Sequence, residues 1–332
     1  MPIEFHTSIR STCADPARPL ADQVEDTVQL VRKVASLGTF ARLSFQHHWL
    51  SYPTVWIEPL PLIARLAPET GDLRLLTSVL KLPIHNPVDL AHQIATVDHI
   101  THGHLDFGIG VGYQEEELEA VGATRKERAS RLEESVVLMR QLWTGEDVTF
   151  RGRYYRATGR MGYTPFQQPH PPLFVAAYGA RPARRAARLD ATLLMAPQAT
   201  WASLASMVGE YDDELSKVGG TPRRGANRNI CVARDHATAV KLAQIDTARR
   251  GAYYGRWQMN EPTTDMVLSA ERDPSDYAIV GTPEECAETI SHQKEKLGLS
   301  YMGIGPMNLP DSLEEKLEYF QWVSEEVLSK IR

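Results

Sequence analysis

The stretch Arg74–Gly110, RLLTSVLKLPIHNPVDLAHQIATVDHITHGHLDFGIG, changes its periodicity twice. Arg74–Leu80 is a short apolar run bounded by polar residues, the pattern of a buried strand. Asn86 and Pro87 then supply an N-cap and a first-turn proline, and a helical pattern runs to His102 with Gly103 as its stop. Leu105–Gly110 is apolar again and reads as the next strand. Strand, helix and strand in this order form the unit that joins neighbouring parallel strands.

Working outward, the same rhythm repeats. Glu4–Ile9, Phe40–Phe45, Leu173–Tyr178, Thr192–Ala196, Arg228–Arg234 and Ser300–Gly305 bring the expected strands to eight. Helices are expected over Leu20–Leu37, over Val55–Ala67 with Pro59 and Pro61 interrupting it, and near Pro182–Leu189, Trp201–Lys217, Asp235–Arg250, Pro283–Leu297 and Ser312–Ile331. Thr124-Arg-Lys-Glu127 has the spacing of a capping box opening a helix to about Trp143. Eight parallel strands with helices between them favour an α/β fold of the (β/α)8 TIM barrel type over an open doubly wound sheet, which usually stops earlier. No linker divides the chain, so residues 1–332 are expected to form one barrel domain with insertions after strands 4 and 7. Asp147–Arg156 is expected as a hairpin turning at Arg151-Gly152, and the irregular stretches Gly145–Pro172 and Gly251–Asp276 as lids.

Lysine plus arginine number 36 against 42 aspartate plus glutamate, a net charge of −6 that offers no global attraction to a polyanion. Nucleic acid is therefore not an expected partner. The three cysteines, Cys13, Cys231 and Cys286, are too few and too scattered for a disulfide framework, which fits a cytoplasmic location. The N-terminus shows no secretory pattern, and the long uncharged stretches carry prolines and glutamines, so no membrane span is expected.

Active sites of such barrels lie at the C-terminal ends of the strands. The second strand ends in Gln46-His47-His48-Trp49, and adjacent residues of an extended chain face opposite ways, so one of the two histidines at most should face the barrel mouth. A histidine here is either a general acid/base or a satisfied structural group. After the fourth strand, Gly108-Ile-Gly-Val-Gly112-Tyr113 fails the G-x-G-x-x-G spacing of a dinucleotide site, and its glycines instead suit close approach of backbone to a flat ligand. After the fifth, Tyr178-Gly179-Ala180-Arg181-Pro182 has the ingredients of a phosphate site at a helix start, although many strand-to-helix turns share some of them. Arg184, Arg185 and Arg188 read as a solvated face. His99, His102 and His104 precede the fourth strand, away from the expected site, and no metal is expected.

Several segments resemble the bacterial luciferase-like flavin-dependent monooxygenases. Leu82–His92 continuing through Val97–Gly110 resembles that family's most characteristic stretch, and Arg128–Glu134, Leu142–Gly145, Phe150–Tyr155, Pro169–Ala176 and Val280–Glu285 follow in the family's order. The resemblance implies an oxidoreductase, a cytoplasmic two-component monooxygenase that takes reduced FMN from a separate flavin reductase and acts with O2 on a hydrophobic small molecule. The sister branch implies F420-dependent hydride transfer instead, and a flavin-binding barrel without catalysis is a third reading. The family's E-H-H motif falls on Gln46-His47-His48, which makes His47 the implied catalytic residue and leaves Gln46 where the family has an acid. Implied cofactor-binding residues are Thr77, Ser78 and Val79 under the flavin ring, often with a non-prolyl cis peptide, then Gly110 and Gly112, and Ala177, Tyr178, Gly179, Ala180 and Arg181 at the phosphate. A homodimer or higher homo-oligomer is also expected.

Overall fold

The computed structural model describes residues 3–8, 13–52, 54–254, 272–310 and 312–331. Eight strands carry the fold: β1 (Glu4–Ser8), β2 (Arg42–Phe45), β3 (Arg74–Thr77), β4 (Leu105–Gly110), β5 (Leu173–Ala177), β6 (Thr192–Met195), β7 (Arg224–Val232) and β8 (Tyr301–Pro306). They are hydrogen-bonded in the order of the chain, β8 pairs with β1, and β4 with β5, so the (β/α)8 barrel class holds. Parallel registers include Phe5 opposite Met302, Leu75 opposite Leu105 and Ala226 opposite Met302. The helices are α1 (Leu20–Ser36), α2 (Pro59–Leu66), α3 (Pro87–Ile100), α4 (Glu115–Glu119), α5 (Arg128–Leu142), α6 (Ala180–Arg188), α7 (Trp201–Val218), α8 (His236–Tyr254), α9 (Pro283–Leu297) and α10 (Leu313–Glu326).

The chain packs as two compact units, one of residues 1–9, 24–43 and 175–332, the other of 10–23 and 44–174. In the first unit β7 begins four residues before the expected Arg228, because its polar residues hide the pattern. Asn227 Oδ1 accepts from His6 Nε2 at 2.7 Å, and a Cβ on Gly303 would fall within 2.3 Å of both side chains. Arg228 is fully buried, stacks 4.1 Å over the Trp201 ring and donates to the carbonyls of Ala199 and Tyr277. Thr282, Pro283 and Glu285 form a complete capping box at the start of α9.

In the second unit, Asn86 caps α3 by accepting from Val88 and Asp89, as expected. Elsewhere the expected boundaries shift. The prolines at 59 and 61 stand in the first turn of α2, where a missing N–H costs nothing, and Val55–Trp56 ahead of them is a short strand antiparallel to Cys13–Ala14. The Thr124–Glu127 box does not form; Glu127 is the N-cap residue of α5 and its carboxylate holds Arg131. The hairpin is Val148–Arg151 against Arg156–Gly159, so it turns at residues 152–155 and is not the only antiparallel pair.

Gly145–Pro172 is not a lid over the strand ends. It connects α5 to β5, and such a connection emerges where strands begin. Gln167 donates to Asp98 Oδ1 and Leu105 O at 2.7 Å each, while Arg74 reaches Gln167 at 2.9 Å and Asp106 at 2.6 Å, so the segment is bound to the beginnings of β3 and β4. The other expected lid, Gly251–Asp276, falls mostly outside the described residues.

The tightest approach in this unit is between β3 and β4. Thr77 Oγ1 donates to Gly108 O and accepts from Gly108 N, both at 2.8 Å, and a Cβ on Gly108 would stand 1.8 Å from Thr77 O. Gly108→Ala must push two hydrogen-bonded strands apart. Urea unfolding should show a loss of about 3 kcal/mol, the upper end for overpacking a close-packed core; unchanged stability would show that the strands do not approach this closely.

Candidate active site

Three successive strand ends in the second unit bring together a dense set of polar side chains. His47, two residues past β2, is 2% exposed. The Lys81 backbone N–H points at its Nδ1 from 3.5 Å, and its Nε2 lies 3.2 Å from Glu58 Oε2, near enough for an ion pair but outside hydrogen-bond geometry. The His85 ring stands 5.1 Å away and the Trp49 ring 5.7 Å away, edge-on. His48 takes the other direction, as strand alternation requires. Its Nδ1 is 2.7 Å from Gln114 Oε1, and its ring packs against Trp56 and Tyr113.

Beneath this cluster is a buried ion pair. Lys81 Nζ bonds Glu117 on α4, and it lies 3.3 Å from His48 Nδ1 and 3.4 Å from Gln114 Oε1. Glu117 Oε1 also accepts the backbone N–H of Trp49 at 2.7 Å and that of Leu50 at 3.4 Å. Burial pushes the Lys81 ammonium down to about 8 against the opposing pull of Glu117. Burial, and then the Lys81 charge, push His48 down to about 3. Burial, and then His47, push His85 down to about 4. For Glu58, burial works upward, but the facing His47, His85 and Trp49 outweigh it and hold the carboxyl below its ordinary value.

Of the expected cofactor residues, Thr77 is fully buried with its hydroxyl committed to Gly108. The Ser78–Val79 peptide is cis. Gly110 is buried at the end of β4, and Gly112 has φ 72°, a conformation that favours glycine, while a Cβ there would meet Lys81 only at an ordinary 3.5 Å. Ala177, Tyr178, Gly179, Ala180 and Arg181 lie in the other unit. There Gly179 is the N-cap of α6 and, having no side chain, makes no side-chain cap bond; the helix starts at Ala180, two residues before Pro182. The solvated-face reading holds for Arg184 and Arg188, which pair with Glu210 and Glu214 of α7, but Arg185 is buried. His99 Nε2 donates to Thr164 O, 2.9 Å away, beside Phe166.

Glu58, Lys81, His85, Gln114 and Glu117 were not expected from sequence. Lys81 left a trace, as the lone charge in the apolar run Val79–Ile84, and Glu58 another, as an acid directly before Pro59 at a helix start. Glu117 left none, because nothing in Glu115-Glu116-Glu117 says which of the three turns inward.

A (β/α)8 chain with a buried histidine and several buried titratable groups at its strand ends has the form of an enzyme. The family model "Luciferase-like monooxygenase" matches residues 1–301, and the chain belongs to that family of flavin- or F420-dependent oxidoreductases. The oxygenase component of flavin-dependent trigonelline monooxygenase from Acinetobacter baylyi is 31% identical over 156 residues, covering 46% of this chain and 43% of that protein. F420-dependent glucose-6-phosphate dehydrogenase from Intrasporangium calvum is 39% identical over 133 residues, 38% of this chain and 39% of that one. The chain thus spans less than half the length of these curated relatives. The fold is shared with the oxygenating constituent of 3,6-diketocamphane monooxygenase from Pseudomonas putida, a structure in complex with FMN, at TM-score 0.80 and 17% identity over 99% of both chains. No described helix is long and apolar enough to cross a membrane.

The two neutral histidines predict an acid response. Between about pH 6.5 and their folded-state values of about 4 and about 3, the unfolded chain binds more protons than the folded one. Stability should therefore fall as pH drops below 6.5, by up to about 1.4 kcal/mol per pH unit for each histidine. Thermal unfolding between pH 7 and pH 5 should show a steeper loss in the wild type than in His48→Gln/His85→Gln. Equal slopes would mean that neither ring is held neutral.

Proposed function

We propose that the chain is the oxygenase of a cytoplasmic two-component monooxygenase, using reduced FMN from a separate reductase and O2 to oxidise a hydrophobic small molecule. The observation that carries this reading is His47: a buried imidazole at the end of β2, in a chain of this family, with the Glu58 carboxylate 3.2 Å from its Nε2. The turn that follows presents Trp49, Leu50 and Tyr52 as exposed apolar side chains, which suits a hydrophobic substrate. Bound reduced flavin would supply the electrons that activate O2. His47 would then hold or deliver a proton, and Val79, Gly110 and Gly112 would offer backbone to the flavin ring. The buried thiols Cys231 and Cys286 are consistent with a reducing compartment.

F420-dependent hydride transfer is the second reading, favoured by the F420-dependent relative. Anaerobic quenching of tryptophan fluorescence separates the two: reduced FMN should bind at micromolar concentration and reduced F420 more weakly, and the reverse order would replace oxygenation by hydride transfer. Turnover is best sought first with trigonelline and diketocamphane, the compounds named in two of the relatives. With a substrate in hand, His47→Ala should lower turnover by roughly 10²–10⁴-fold, the range for a general acid/base, while FMN affinity changes little. Near-normal turnover in that variant would remove His47 from the chemistry.

A further inference from the structure

Gln46 cannot ionise, yet a carboxylate does reach His47 from elsewhere in the chain. Glu58 is the N-cap residue of α2, with Pro59 and Pro61 in the first turn; its side chain makes no cap bond and lies 3.2 Å from His47 Nε2. The Glu58 side chain is 42% exposed while that of His47 is 1% exposed, so the pair adds little as a surface ion pair, and its effect falls on the buried partner. The Lys81 N–H points at Nδ1, and Nε2 is the edge turned to Glu58.

We propose that Glu58 is the positioning residue of His47: from the start of α2 it supplies the negative charge that Gln46 lacks and fixes the Nε2 edge of the imidazole. The proposal rests on the reading of His47 as the acid/base and explains how a chain with Gln46 can serve that role. The other charged and titratable groups around the ring act differently. His85, packed against it from the segment after β3, and His48, its neighbour in sequence, are both held neutral by burial, and the Lys81 ammonium is bound to Glu117. Glu58 is thus the carboxylate that faces His47 among the described residues, Glu117 being turned to Lys81 and to the Trp49 and Leu50 amides.

The test is a histidine NMR titration of the protein without cofactor, with the His47 resonances assigned by their loss in His47→Gln. In Glu58→Gln the His47 ring should titrate about one pH unit lower than in the wild type, since an opposite charge at this distance favours the charged form. Glu58→Asp, which keeps the charge, should stay near the wild type, and Glu69→Gln, which removes a charge beyond the other end of α2, should leave the titration where it was. Adding Gln46→Glu to Glu58→Gln should move it back up. An unchanged titration in Glu58→Gln, identical behaviour of the Asp and Gln variants, or an equal shift in Glu69→Gln would each overturn the proposal. The readout does not depend on turnover. Normal activity in His47→Ala would dispose of the catalytic reading, and the Glu58 pairing would still be decided by the titration.

Discussion

The ion pair between Lys81 and Glu117 ties three strand ends to one another. Lys81 follows β3, Glu117 follows β4, and Glu117 accepts the amides of Trp49 and Leu50 in the turn after β2. Buried ion pairs rarely add net stability, since desolvation of both charges offsets most of their attraction, but removing one partner costs about 3–5 kcal/mol. The pair therefore acts as a specification more than as a source of stability. It permits one arrangement of the turn that carries His47 and penalises the alternatives. A hydrophobic pair of the same volume would fill the space without fixing where the Trp49 amide must point.

From that fixed turn the distribution of charge in the cluster follows. Six titratable side chains lie close together, and a low-dielectric setting does not tolerate several free charges. Lys81 and Glu117 neutralise each other, while His48 and His85 stay neutral because the nearby ammonium and the burial both oppose protonation. What remains is His47 with Glu58, one imidazole facing one ionised carboxylate that is half open to water. The outward position of Glu58 matters, because it lets the carboxylate stay charged while its partner is buried.

The fold was legible in the sequence because its signals are local. The caps at Asn86 and Thr282, the strand-length apolar runs and the stop at Gly103 each depend on a few neighbouring residues. Expected and observed boundaries differ where tertiary bonding replaces a local rule: the start of β7 hides behind Arg224, Gly225 and Asn227, and the Thr124–Glu127 spacing lost its cap to the Glu127–Arg131 pair. Of the site, His47 was legible from its place after β2 and from the resemblance. Its surroundings were not, because they are made by residues up to about seventy positions apart whose side chains meet only after the strands are in register. Glu58 shows the limit most clearly, since at the head of a helix it looks like a cap.

The placement of Gly145–Pro172 also changes what can shield the site. A segment bound to Asp98, Leu105 and Arg74 at the beginnings of β3 and β4 cannot cover residues at the other ends of those strands. Within this unit, the elements beside His47 are the turn after β2 and α4, which Glu117 joins. Trp49 stands edge-on to both His47 and His85, and its backbone is held by the same carboxylate that binds Lys81. The ion pair that sets the direction of His47 thus also holds the aromatic wall beside it, so shielding and orientation share one constraint and would be lost together.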